Sequence, residues 1–152
     1  MGTGNPNYEE AFLEYQKKWP KKVAVHLNFD NPLSHQIEAG SDIFLMPSYY
    51  EPCGLNQMYS MRYGTVPIVR KTGGLADTVI SATPKAISDG RATGYVFIDY
   101  TEKALLNTIK KALKVYHKKP DQWRQIQKNG MAKDFSWKVS AGKYRKLYCG
   151  LR

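Results

Sequence analysis

The sequence predicts an α/β fold in which a parallel sheet is covered by helices on both faces. Two observations carry this. Residues 23–27 (VAVHL), 42–46 (DIFLM), 66–69 (VPIV) and 94–98 (GYVFI) are short apolar runs of strand length. Their near-continuous apolarity is that of strands buried on both sides. Between and after them lie segments with apolar residues at helical spacing. Strands that alternate with helices in this way build βαβ units, a Rossmann-like parallel arrangement.

The elements follow in chain order. Residues 6–19 read as a helix, opened by Pro6 and Asn7, with Phe12, Tyr15 and Trp19 three and four residues apart. Residues 23–27 read as a buried strand. A second helix follows Asn31 and Pro32, with Leu33 and Ile37 turned inward. Residues 42–46 form the next strand, 54–63 a helix and 66–69 another strand. Gly, Pro and Ser make residues 71–93 read as mostly loop. Residues 94–98 are the last strand. The rest is helical over about 101–117, 120–132 and 136–149, with Pro120 as a first-turn proline. The reading is one domain over residues 1–152 with a helical segment over about 101–150, a length within the usual single-domain range.

Composition narrows the function classes. The chain is 42% hydrophobic and 12% aromatic, enough for a packed core rather than a disordered chain. Lys and Arg number 23 against 13 Asp and Glu, a net charge of +10, which favours anionic partners. Part of that excess, Lys103, Lys110, Lys111, Lys114, Lys118 and Lys119, falls at helical spacing and reads as a solvated helix face. No aromatic RNA-binding signature or zinc-finger spacing points to nucleic acid. The two cysteines, Cys53 and Cys149, form no CxxC pair, so neither a metal site nor a disulfide framework is expected, and a reducing compartment is. The N-terminus has no secretory pattern, and no window is long and apolar enough for a membrane helix.

The chemistry concentrates in residues 48–79. Glu51 and Gly54 fall just past the carboxyl end of the 42–46 strand, and Gly73 and Gly74 just past that of the 66–69 strand. Parallel sheets bind ligands outside the carboxyl ends of their strands, so both loops face one crevice. The helix after Gly54 offers its first unpaired amides, at Gly54, Leu55 and Asn56, to an anion such as phosphate. Gly54 and the Gly73-Gly74 turn let a ligand approach the backbone. Glu51 would repel phosphate. It suits hydroxyl groups or a nearby positive charge. Phosphate beside polyol describes a sugar nucleotide. A plainer role for Glu51 is that of a carboxylate favouring the helix dipole, worth about 0.3–1 kcal/mol. Cys53 has no base placed beside it and does not read as a nucleophile. His35 and His117 read as structural or surface residues, and Tyr49, Tyr50, Tyr59 and Tyr63 as core or rim.

The stretch EPCGLNQMYSMRYGTVPIVRKTGGLADTV resembles the sugar-nucleotide loop of bacterial glycogen synthases and plant starch synthases. SHQIEAGSDIFLMPS before it and DFSWKVSAGKYRKLY near the end extend the likeness over nearly the whole chain. The resemblance implies part of the C-terminal half of a GT-B glycosyltransferase that retains the anomeric configuration and needs no metal or other cofactor. It implies transfer of glucose from ADP-glucose to the non-reducing end of an α-1,4-glucan. By position, Glu51 would hold the donor glucose hydroxyls and stabilise oxocarbenium-like charge, with Cys53, Gly54 and Leu55 lining the sugar. Leu55, Asn56, Thr72, Gly73 and Gly74 would serve the phosphates. Phe29 and Tyr59 would lie by the nucleoside. The implied partners are ADP-glucose or ADP and glycogen or starch, in the cytoplasm, or a plastid for a plant source, with no nucleic acid or membrane.

Departures from the family pattern also carry expectations. The family's N-terminal domain, with its acceptor site, has no counterpart here, nor has the Arg and Lys pair that grips the diphosphate. MGTGN stands for the end of a strand whose predecessor is absent, which deprives residues 23–27 of their usual neighbours. Tyr49 stands where most members carry Arg. The isolated chain is therefore expected to be inactive. A UDP-glucose-dependent relative is an alternative, although such enzymes usually carry Glu where Tyr59 stands. Another is a non-catalytic fragment that binds glucan or a full-length synthase.

Overall fold

The computed structural model describes residues 4–151. They fall into two compact units, divided between Ile37 and Glu38. In the first unit, α1 (Pro6–Lys18) starts where expected. The Asn5 side chain caps it by accepting the Asn7 amide at 3.0 Å, and Pro6 occupies the first turn, where a missing N–H costs nothing. No residue of α1 is buried, and the rings of Tyr15 and Trp19 stack with centroids 5.4 Å apart. Of the MGTGN strand end, residues 1–3 lie outside the described residues, while Gly4 and Asn5 are not in a strand.

Residues 23–27 are not a strand. An extended segment becomes one only when a neighbour takes up its N–H and C=O groups, and no described segment pairs with this one. The Val25 amide instead donates to the Gln16 side chain. The next helix, α2 (Asn31–Ala39), begins with the Asp30 carboxylate accepting the Leu33 amide at 2.9 Å. Ile37, expected to face inward, is exposed. Glu38, the next residue, is the buried one.

The second unit carries the α/β architecture. Its elements are β1 (Ile43–Met46), α3 (Asn56–Tyr63), β2 (Val66–Arg70), α4 (Gly73–Thr78), α5 (Pro84–Ser88), β3 (Tyr95–Phe97), α6 (Glu102–Lys118), α7 (Pro120–Met131) and α8 (Trp137–Cys149). The strands form a parallel sheet in the order β1-β2-β3, with Ile43 opposite Val66 and Ile68 opposite Tyr95. Residues 71–93, expected as loop, contain α4 and α5. Thr83 caps α5 by accepting the Ala86 amide at 3.1 Å, and Pro84 enters its first turn. Such short helices hold too few residues to show a periodicity.

Side chains of β2 alternate between two cores, as a two-residue repeat requires. Val66 and Ile68 pack with Tyr95, Phe97, Ala112, Trp123 and Ile126, the face covered by α5, α6 and α7. Val69 packs with Met61, Leu75 and Val79, the face covered by α3 and α4. The expectation of helices on both faces is met. α7 is also tied to the end of α3: Gln127 donates to the Gly64 carbonyl at 2.8 Å. No residue of α8 is buried. Among the described residues, no helix is long and apolar enough to cross a membrane.

Ile68 has no exposed surface. Ile68→Ala should therefore destabilise the chain by about 2–5 kcal/mol, seen as a lower urea midpoint. A loss below about 0.5 kcal/mol, typical of a surface position, would contradict a core centred on β2.

Candidate functional site

β1 and β2 run parallel and in register, so their carboxyl ends open at the same rim of the sheet. The loop after β1 carries Glu51, Cys53 and Gly54, and the turn after β2 carries Thr72, Gly73 and Gly74. Arg70, the last residue of β2, pins the first loop. Its Nε donates to the Ser48 carbonyl at 3.0 Å and its Nη2 to the Tyr49 carbonyl at 2.7 Å. The guanidinium also lies over the rings of Tyr49, at 5.6 Å, and Tyr100, at 5.2 Å. Tyr49 and Tyr100 meet edge to face. The Tyr49 ring thus leans on a cation from the neighbouring strand.

The two loops touch backbone to backbone. A Cβ at Gly73 would overlap the Glu51 carbonyl, lying 2.8 Å from its carbon. A Cβ at Gly74 would lie 2.7 Å from the Cys53 Cα and 2.8 Å from its carbonyl carbon. Gly73 has φ +41° and Gly54 φ +68°, both in the region that favours glycine. At Gly54 a Cβ would also meet the Gln57 Oε1 at 2.8 Å.

Gln57 fastens this contact from beneath and was not singled out in the sequence. It is fully buried. Its Nε2 donates to the Gly54 carbonyl at 2.8 Å, the Cys53 carbonyl at 3.3 Å and the Thr78 hydroxyl at 3.1 Å. Thr78 in turn donates to the Gly74 carbonyl at 2.7 Å. One amide therefore joins the first loop to α4. Two carbonyl partners fix which end of the amide is nitrogen, and leave Oε1 buried without a partner.

The first turn of α3 has no side-chain cap. Its earliest internal bonds run from Met58 and Tyr59 to the Leu55 carbonyl, so among the described residues the amides of Leu55 and Asn56 are not used. In α4 the internal bonds begin at Leu75, and the Gly73 and Gly74 amides are not used either. Uncapped amides with no internal partner are what an anion would satisfy. Glu51 stands half-buried between the loops, its Oε1 accepting the Ser48 hydroxyl at 3.2 Å. Cys53 is a free thiol and is exposed. Leu55 and Tyr59 line an open cleft of about 670 Å³ with Met58, Arg62, Asp134 and Phe135. The Asp134 carboxyl there is held below the usual range by hydrogen bonds from Ser136 and by the charges of Lys138 and Arg62.

The structure brings Glu51, Cys53, Gly54, Leu55, Asn56, Tyr59, Thr72, Gly73 and Gly74 onto adjoining parts of the second unit. Phe29 belongs to the first unit and is 82% exposed. Comparison with known proteins decides which family builds this rim. The description "Glycosyl transferases group 1" matches residues 1–130. This chain belongs to that family. It is 53% identical over 148 residues to glycogen synthase 1 of Methylococcus capsulatus, and 53% identical over 148 residues to the glycogen synthase of Petrotoga mobilis. Each match covers 97% of this chain and 30% of the relative, so the chain spans about a third of the length of these glycogen synthases. Among solved structures, the catalytic domain of starch synthase IV from Arabidopsis thaliana, bound to ADP and acarbose, matches with a TM-score of 0.84 at 36% identity. That match covers 97% of this chain and 30% of the other. Sucrose-phosphate synthase from Thermosynechococcus elongatus matches with a TM-score of 0.64 at 26% identity, over 98% of this chain and 37% of the other. The likeness to glycogen and starch synthases holds, and the fold is that of part of a GT-B glycosyltransferase.

The glycine contact gives a direct prediction. Gly74→Ala must push α4 off the first loop and should cost about 2 kcal/mol or more, lowering Tm by several degrees. Gly142→Ala, where a Cβ meets nothing within 4 Å, should leave Tm unchanged or raised. Equal effects would contradict the contact.

Proposed function

We propose that this chain is the donor-binding portion of a glycogen or starch synthase, in which glucose passes from ADP-glucose to the non-reducing end of an α-1,4-glucan with retention. The observation that carries this reading is the pairing, at one sheet rim, of uncapped amides at Leu55, Asn56, Gly73 and Gly74 with the Glu51 carboxylate. The amides suit the diphosphate. Their dipoles are already oriented, so they would stabilise the charge that grows on departing ADP without reorganising. Glu51, kept off the phosphates by its own charge, would accept hydrogen bonds from glucose hydroxyls and stabilise the positive charge of an oxocarbenium-like transition state. Cys53, Gly54 and Leu55 would line the sugar. Tyr59 would contact the nucleoside from the cleft beside α3. Nothing in this division of labour calls for a metal.

The reading gains support from the two glycogen synthases at 53% identity and from the ADP-bound starch synthase IV domain. Because the chain spans 30% of those relatives, the acceptor glucan and the rest of the catalytic cleft are assigned to the part of the relatives that these residues do not match. The isolated chain should therefore transfer no glucose to glycogen. The protein would work in the cytoplasm, where ADP-glucose and glucan meet, or in a plastid for a plant source.

Calorimetric titration tests the nucleotide assignment. The chain should bind ADP, at millimolar Kd or tighter, and prefer it to UDP by about tenfold, or 1.4 kcal/mol. Glu51→Ala should leave ADP binding within about twofold, since the carboxylate serves the sugar, while abolishing any gain of ADP-glucose over ADP. Preference for UDP, or loss of ADP binding on Glu51→Ala, would contradict the proposed roles.

A further inference from the structure

A second cleft, lined by lysines, shares no lining residue with the Glu51 loop. It has a volume of about 500 Å³, within the roughly 300–1,000 Å³ of small-molecule pockets. Ser81, Thr83, Tyr95, Thr108, Lys111, Lys114 and Lys119 supply its polar lining, and no carboxylate is among its lining residues. A neighbouring cavity of about 330 Å³ shares Ser81, Thr83 and Val96 with it and adds Lys71. In the sequence these lysines look like one solvated helix face. Lys111 and Lys114 of α6, with Lys119 just beyond its end, are exposed as that reading expects, and they also line the cleft beside the segment before α5.

The neutral groups favour an anion as well. Ser81 accepts the Val96 amide at 3.1 Å and Thr83 the Ala86 amide at 3.1 Å, so each hydroxyl keeps its own proton to donate. Tyr95 is 4% exposed, and its hydroxyl is buried without a hydrogen-bond partner. A buried hydroxyl left unsatisfied costs about 1–3 kcal/mol and calls for an explanation. Three ammonium groups and the hydroxyls of Ser81 and Thr83, with no acid among the lining residues, match a dianion better than a carboxylate.

We infer that the cleft between α6 and the Ser81–Thr83 segment binds the phosphate group of a small hydroxylated phosphate ester, at a site separate from the donor rim. The phosphate lies against Lys111, Lys114 and Lys119, and the hydroxyls of the ester face Ser81 and Thr83. The same group could arrive on a free sugar phosphate or on a phosphorylated glucan chain.

Titration of the ¹⁵N-labelled 152-residue chain, followed by NMR, tests this with inorganic phosphate, glucose 6-phosphate and a phosphorylated maltooligosaccharide. Sodium chloride at matched ionic strength controls for screening. Saturable shifts are expected at the amides of Ser81, Thr83, Val96, Lys111 and Lys114. The double variant Lys111→Gln, Lys114→Gln, at exposed positions, should raise Kd by about tenfold or more. Preference for glucose 6-phosphate identifies a free ester, and preference for the oligosaccharide a chain-borne one. Shifts confined to residues 54–56 and 72–74, shifts reproduced by chloride, or a double variant that binds as tightly as the parent would overturn the site. Because the donor-rim amides are read separately, failure here leaves the ADP assignment standing.

Discussion

The contact of two loops through bare backbone is the constraint on which the rim depends. β1 and β2 end level with each other, and their loops would still diverge if either glycine after β2 carried a side chain. With none there, the Gly73-Gly74 turn seats directly on the peptides of Glu51 and Cys53. Gln57 and Thr78 lock the seat from the buried side, and Arg70 holds the opposite end of the loop. The positions of Glu51 and of the first amides of α3 and α4 follow from that closure.

The closure also sorts charge. Amides left without internal partners collect at the start of α3 and α4, while the carboxylate stands on the loop between them. In a glycosyl transfer, negative charge grows on the leaving diphosphate and positive charge on the sugar ring, so a rim that segregates donors from a carboxylate matches both ends of the reaction. Arg70, at the end of β2, is committed to loop carbonyls and aromatic rings. Its bonds set the loop's shape before any ligand arrives.

Much of this was legible in the chain. The runs at 42–46, 66–69 and 94–98 became the three strands, and Glu51, Gly54, Gly73 and Gly74 met at one rim because strand ends position loops. Residues 23–27 carry the same apolar signal without becoming a strand, since apolarity does not supply a hydrogen-bonding neighbour. The helices at 73–78 and 84–88 were hidden by the glycines and proline that punctuate them. Gln57 and Arg70 were passed over because a buried amide and a strand-end cation act through contacts that exist only after folding. The lysines of α6 stand exposed, as their spacing indicates, and three basic residues of that region also line a cleft formed with residues distant in sequence.

Amide hydrogen exchange, with and without saturating ADP, tests the central claim most directly. A rim closed in advance and lined by unused amides predicts slowed exchange at Leu55, Asn56, Gly73 and Gly74, with little change in β1 and β2. Unchanged exchange at those four amides, with protection appearing elsewhere in the chain, would contradict it.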